Sequence, residues 1–205
     1  MGRYLGPSCR RCRAVKIKLF LKGEKCHTKC VLDKRKTLPG PRTKRMKKPT
    51  EYGKRLMEKQ KAKFIAGLTE EQFRNYFIRA QRMPGLTGFN LLTLLELRLD
   101  NVVRQLGLTG SMKFARQLIR HGNVLVNGKT ARVPAYHVKV GDKVYLAEKL
   151  RQNPSILRWR ERFMNPPSWL SVDKEKFGGS VVSVPAREEI SYPIDETFIV
   201  ELYSK

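Results

Sequence analysis

Apolar positions recur with helical spacing through much of the first half of the chain. From Glu51 to about Ile65 the residues favour helix and Gly67 stops it, with Lys54, Lys59, Lys61 and Lys63 expected on the exposed side. Thr69-Glu70-Glu71-Gln72 is a capping box that opens a second helix on Phe73, Phe77 and Ile78, and Pro84-Gly85 ends it. Asn90 is the expected cap of a third helix. Its apolar residues Leu95, Leu99, Val102, Val103 and Leu106 follow i, i+4, i+7, i+8 and i+11 before Gly107 closes it. Ser111 caps a short fourth helix from Met112 to His121, ended by Gly122.

Beyond Gly122 the pattern turns to strands. Val124-Leu125-Val126 runs into Asn127-Gly128, the strongest two-residue hairpin turn. Val133, Tyr136, Val138 and Val140 suggest extended structure, and Gly141-Asp142 turns into Val144-Tyr145-Leu146. Residues 91 to about 150 therefore read as two helices leading into a small antiparallel sheet. The tail reads as turns and short strands, at Val181-Val182 and at Thr197 to Tyr203. Trp159 and Trp169 are expected as packing anchors rather than base-stacking platforms. The fold class that results is α+β.

Composition sharpens this picture. The 205 residues carry 43 Lys and Arg against 18 Asp and Glu, a net charge of +25, and 40% are hydrophobic, enough for a packed core. The excess is uneven: residues 1–50 hold 17 bases and two acids, Glu24 and Asp33, whereas residues 151–205 are neutral, with 8 of each. Such a field repels itself unless a polyanion lies beside it, which points to nucleic acid. The plainer reading is a solvated cationic surface, and the third an anionic membrane surface, weakened because no apolar helix face accompanies the basic run. No apolar run approaches the ~18–20 residues of a membrane-spanning helix. The start lacks the apolar stretch of a secretory signal, and Gly6 stands where a myristoylation motif needs Ser or Thr.

All four cysteines lie in the most basic segment. Cys9, Cys12, Cys26 and Cys30 form C-x2-C and C-x3-C pairs separated by thirteen residues, a spacing that sets four thiolates at the corners of a structural Zn²⁺ site, one ion per chain. Two disulfides, another metal or idle thiols are the alternatives, and disulfides need an oxidising compartment. His27 could replace a ligand, but Cys30 completes the set and leaves His27 to solvent or RNA. The stretch from Thr37 to Thr50 has three prolines, one glycine, five bases and no acid, and reads as an extended arm along a phosphate backbone or as a flexible tether. On the fourth helix Lys113, Arg116, Gln117 and Arg120 fall at i, i+3, i+4 and i+7, opposite Met112, Ala115, Leu118 and Ile119. No acid occurs between Met112 and Lys139, which favours phosphate contact for that stripe over an ordinary wet face. His121, at the helix end, could cap carbonyls or touch RNA. No G-x-x-x-x-G-K-[ST], H-E-x-x-H or G-x-S-x-G is present, so nothing points to catalysis.

Leu97-Arg98-Leu99-Asp100-Asn101-Val102-Val103, Ala115 to Gly122, Val126-Asn127-Gly128-Lys129 and Val138 to Asp142 resemble a small RNA-binding module shared by several protein families. The flanks choose among these. Met1-Gly2-Arg3-Tyr4 with the cysteine pairs, Glu58 to Lys61, Glu71 to Arg74 and the ending Glu201 to Lys205 are similar to the bacterial-type family of small-subunit ribosomal protein four, in its zinc-knuckle form. That resemblance implies a mainly helical domain (46–90, completed by 178–205) with the module inserted (91–177), behind an N-terminal zinc-stabilised knuckle and arm (1–45). It implies a non-enzymatic, cytoplasmic ribosomal constituent that binds 16S-class rRNA at a junction in the 5′ domain and nucleates assembly. Contact with small-subunit ribosomal protein five, with mRNA where it enters the subunit, a share in translational accuracy and repression of its own operon are further implications. The family's P-P-G-Q-H-G linker is replaced by Leu38-Pro39-Gly40-Pro41-Arg42-Thr43, leaving Arg42, Lys44 and Arg45 in place of the Gln-His pair. The candidate RNA contacts are Arg3, Arg10, Arg11, Arg42, Lys44, Arg45, Lys47, Lys48, Tyr52, Lys54 and Lys61 in the first part of the chain. In the module they are Arg98, Lys113, Arg116, Gln117, Arg120, His121, Asn127 and Lys129. An RNA-modifying enzyme carrying the module and a zinc-containing DNA-binding regulator are the rival readings.

Overall fold

A computed structural model of the chain describes residues 2, 4–40, 48–162, 166–173, 175–190 and 192–204. They divide into two compact units, Met1–Leu92 with Tyr192–Lys205, and Thr93–Ser191.

The first unit begins with three short helices, α1 (Ser8–Val15), α2 (Glu24–Thr28) and α3 (Val31–Lys34). Two longer ones follow. In α4 (Glu51–Ala66) the Thr50 side chain accepts the Gly53 N–H at 3.1 Å, and Gly67, at φ +63, closes the last turn. In α5 (Glu70–Gln81) the capping box forms as the sequence requires, with Thr69 and Gln72 satisfying each other's backbone N–H groups. Asn90 does not cap a helix start. It lies inside α6 (Thr87–Glu96), and its amide donates to the carbonyls of Ala80, Met83 and Pro84, in the last turn of α5 and just beyond it.

The third expected helix is two. α6 ends at Glu96 and α7 (Leu99–Gln105) starts after an extended Arg98, ψ 138. The break has a cause in the later loop. Leu99 N–H donates to the Tyr136 carbonyl at 2.8 Å and Val138 N–H to the Leu97 carbonyl at 2.9 Å. Those bonds replace helical ones, so Val133 to Val140 serve as a loop docked on the break and form no strand. Leu95, Leu99, Val102, Val103 and Leu106 are still all buried.

In the second unit Ser111 accepts the Phe114 N–H and opens α8 (Met112–Arg120), and Gly122 at φ +69 ends it. β1 (Val124–Val126) and β2 (Lys129–Ala131) form the hairpin around Asn127 and Gly128, both at positive φ as a type I′ turn requires. β3 (Lys143–Leu146), α9 (Pro154–Arg162), β4 (Leu170–Asp173) and β5 (Gly178–Val181) complete the unit. All pairings are antiparallel, in the order β2-β1-β3-β5-β4. The sheet is larger than the sequence suggests, and residues 178–181 belong to it rather than to the helical part. Gly178 and Gly179 make that possible: a Cβ would stand 2.2 Å from the Val144 carbonyl oxygen at the first and 2.1 Å from the Ser171 oxygen at the second. The core joins α7, α8 and the sheet through Leu99, Val102, Ile119, Val124, Val144, Leu146 and Trp169. Trp169, 1% exposed, is the packing anchor expected.

The tail from Thr197 to Tyr203 is helix, not strand: α10 (Glu196–Tyr203), which packs on α4. Asp195 caps it by accepting the Thr197 N–H at 3.0 Å, and helical spacing lets Tyr203 stack on Phe77 at 4.5 Å while Ile199 is fully buried. The Tyr203 hydroxyl donates to Glu70 at 3.1 Å, and Arg55 pairs with Glu201 at 2.6 Å.

Candidate nucleic-acid interface

Around the cysteines, Cys12 and Cys26 are 6% and 8% exposed, Cys9 and Cys30 are half-buried, and all four are free thiols. Burial is the main cause that pushes the Cys12 and Cys26 thiols up. A backbone bond from Leu19 to Cys12 and one from Lys22 to Cys26 oppose it, while the charges of the neighbouring thiols add to the rise. The Lys22 N–H lies 3.3 Å from the Cys26 sulfur. As placed, no three His, Cys, Asp or Glu side chains among the described residues stand together closely enough to hold an ion.

Of the expected RNA contacts in the first unit, Arg10, Lys48, Tyr52 and Lys54 are exposed, Lys54 in an ion pair with Glu51 at 2.7 Å. Arg11 is committed elsewhere: its guanidinium lies 3.9 Å over the Tyr4 ring and 4.7 Å over Phe64, fastening the N-terminal segment to α4. Lys61 is not an exposed contact. It is 9% exposed and paired with Glu58, one turn earlier. Lys59, at 8%, and Lys63 both hold Glu70. Partial burial pushes the Glu70 carboxyl up, but the bonds from the two ammonium groups outweigh it and bring the group down to about 2. Arg3, Arg42, Lys44, Arg45 and Lys47 lie outside the described residues.

In the second unit α8 carries Lys113, Gln117, Arg120 and His121 to the surface on one face, opposite the buried Met112, Ala115, Leu118 and Ile119. Lys129 on the hairpin is exposed as well. Two arginines depart from expectation. Arg98, 3% exposed, is sealed inside with Asp100, with bonds of 3.0 and 2.8 Å to the two carboxylate oxygens. Arg116, its side chain 12% exposed, joins the same carboxylate at 2.7 Å. The acid missing from Met112 to Lys139 is thus supplied from sixteen residues upstream, and Arg116 is a half-buried strut behind the face more than a free phosphate ligand. Asn127 is also occupied. Its amide donates to Asp142 at 2.8 Å and its carbonyl oxygen accepts the Lys143 N–H at 2.8 Å, locking the hairpin to β3.

Sequence reasoning missed Arg132. It is exposed just past β2, and its Nε lies 3.5 Å from where a Cβ of Gly122 would stand, so the hairpin returns a cation to the His121 end of α8. The signal was the short turn itself, which must bring β2 back beside β1. It also missed Asp100 as the hub, fully buried between two cations. Replacing Asp100 by Ala leaves Arg98 buried without its carboxylate. The expected cost is about 3–5 kcal/mol of stability, read as a lowered urea midpoint of the sheet-containing unit. A loss below about 1 kcal/mol, the scale of an exposed pair, would show that water reaches the pair.

The arrangement is one that binds polyanion: exposed cations and amides on a capped helix, braced from behind, with no nucleophile among them. A family model described as "Ribosomal protein S4/S9 N-terminal domain" matches residues 3–96, and one described as "S4 domain" matches residues 97–144. The chain is 49% identical over 211 residues to a protein of Halothermothrix orenii named small ribosomal subunit protein uS4, covering all of both chains. Proteins of the same name from Trichlorobacter lovleyi and Endomicrobium trichonymphae are each 50% identical over 208 residues, again end to end. The match spans both units and the α8 face alike, and the chain belongs to the small ribosomal subunit protein uS4 family.

Proposed function

We propose that this chain is a structural constituent of the small ribosomal subunit that binds its 16S-class rRNA directly and early, at a helical junction of the 5′ domain, and so nucleates assembly. The observation that carries the reading is the exposed Lys113–Gln117–Arg120–His121 face, extended by Lys129 and Arg132, on a helix braced by the Asp100 hub. A-form grooves hide base edges, so cations on a rigid helix recognise backbone path and junction shape more than sequence. Its place is the ribosome. Ribosomal protein five as a neighbour, mRNA where it enters the subunit, a part in accuracy and repression of its own message belong to the same reading and rest on the family resemblance.

The four cysteines are, on this reading, ligands of one structural Zn²⁺. What supports this is the chemistry of the donors: four free thiols in C-x2-C and C-x3-C pairs, with the Lys22 N–H directed at the Cys26 sulfur as second-sphere donors are at metal-bound thiolates; as placed, no three of them stand close enough to share an ion, so binding would draw the pairs together. When bound, the ion supplies a tetrahedral cross-link and no chemistry.

Binding of the full-length chain to a small-subunit rRNA fragment containing the junction tests the proposal. Lys113→Gln with Arg120→Gln removes two charged hydrogen-bond donors and should weaken binding about a hundredfold, at roughly 1.5 kcal/mol or more each, in a variant whose fold is verified by its urea midpoint. Equal affinity of the parent chain for duplex DNA, or an unaltered dissociation constant in the double variant, would overturn it.

A further inference from the structure

The knuckle displays an aromatic pair that the charge argument does not use. Phe20 and His27 stack, with ring centroids 5.0 Å apart and planes 29° from parallel. Phe20 is 46% exposed, and among the described residues it is the one large apolar side chain exposed between Leu5 and Leu38. Its backbone sits at φ +48, a left-handed conformation that side-chain-bearing residues disfavour. The chain on either side is pinned: Leu19, 6% exposed, bonds to Cys12, and the Lys22 N–H donates to the Cys26 sulfur. A half-exposed ring is therefore held out on a fixed strut, in a backbone state that simple burial of the ring would not call for.

We propose that the Phe20–His27 pair is a stacking platform for an unpaired nucleobase of RNA. The inference rests on the rRNA-binding function proposed above and deepens it by naming a base-stacking subsite. Phe20 is stacked against the imidazole and still leaves 46% of its surface open to solvent. Lys22, Lys25 and Lys29 are exposed close by in the chain, within a fifty-residue segment of net charge +15, so the strand that brings the base also finds its phosphates neutralised. A protein partner is disfavoured because a single exposed ring is far too small an apolar patch for a protein interface. Aromatic platforms beside a cationic track are the usual means of holding single-stranded RNA.

The test uses the full-length, zinc-loaded chain and two probes, a short oligoadenylate and an abasic ribose-phosphate strand of the same length. The parent should bind the oligoadenylate about tenfold or more tightly. Phe20→Leu, which keeps apolar bulk without a π face, should erase that preference while leaving abasic affinity unchanged. Phe20→Trp should keep it and add a fluorescence signal, above that of Trp159 and Trp169, quenched by oligoadenylate and not by the abasic strand. Equal binding of the two probes by the parent, or a preference that survives Phe20→Leu and falls only with Tyr52→Ala, overturns the platform while leaving the RNA-binding function standing. Failure of both probes and of the junction RNA to bind overturns the two together.

Discussion

If the four cysteines hold the proposed Zn²⁺, a chelator added to the full-length chain is expected to melt α1, α2 and α3 while α4, α5 and the five-stranded sheet persist. The three helices have 8, 5 and 4 residues, and their N-cap positions, Pro7, Gly23 and Cys30, give no side-chain hydrogen bond. Isolated helices shorter than about 12–15 residues are marginal even in favourable sequences. Cys12, Val15, Leu19 and Cys26 are the hydrophobic side chains buried in this stretch, two of them proposed ligands, and the segment must also hold net +15 together. A structural zinc contributes on the order of 10 kcal/mol to folding in finger-like peptides, more than any other single contact here. Thiol titration should pass from slow and partial to fast and complete for all four cysteines on chelation. Proteolysis should then cut between residues 10 and 36, and elemental analysis of the untreated chain should give one zinc. Cys26→Ser should act like the chelator. Unchanged thiol protection after chelation would sink the metal's role.

Where local chemistry decides local structure, the sequence was readable. Thr69 and Gln72, Ser111, and Asn127-Gly128 did what their side chains and φ preferences dictate, within a residue or two. It misled where a partner came from afar. Asn90 has a capping side chain, yet its amide donates to the carbonyls at and just past the end of α5 instead of opening a helix. The apolar spacing from Leu95 to Leu106 is continuous because its residues are buried on both sides of the break; nothing in it reveals that Leu99 would donate to the Tyr136 carbonyl and Val138 to the Leu97 carbonyl there. Thr197 to Tyr203 is rich in β-formers, but Asp195 caps it and Phe77 offers Tyr203 a ring to stack on, and tertiary packing overrides propensity.

The same limit applies to the candidate interface. Exposure of lysines was inferred from composition, but Lys59 and Lys63 converge on Glu70 across a helix boundary and leave the solvent. Arg116 was expected at a phosphate because its window lacks an acid, and a window cannot see Asp100. What survived is what the helix period alone determines: the outward position of Lys113, Gln117, Arg120 and His121.

These corrections lower the number of phosphates the chain should engage, and that number is measurable. Each neutralised phosphate releases a condensed counterion, so log Kobs falls with log salt at about −0.9 per contact on duplex scales. With Arg98 and Lys61 sealed in ion pairs and Arg116 held by Asp100, the expected cationic contacts that are exposed among the described residues and outside the ion pairs named above, with Arg132 added, are Arg10, Lys48, Lys113, Arg120, Lys129 and Arg132. About six contacts give a slope near −5 and a loss of about 10³-fold in affinity for junction RNA between roughly 50 and 200 mM salt. Lys113→Gln with Arg120→Gln should make the slope shallower by about two. Arg116→Ala should change it by less than one, because that guanidinium is spent on Asp100, and should instead lower stability. A slope shallower than about −2 would mean that few cations reach phosphate and that shape or stacking holds the RNA. An Arg116→Ala slope change as large as that of the double variant would return Arg116 to the interface and make the Asp100 bond a feature of the free protein that RNA exchanges for its own phosphate.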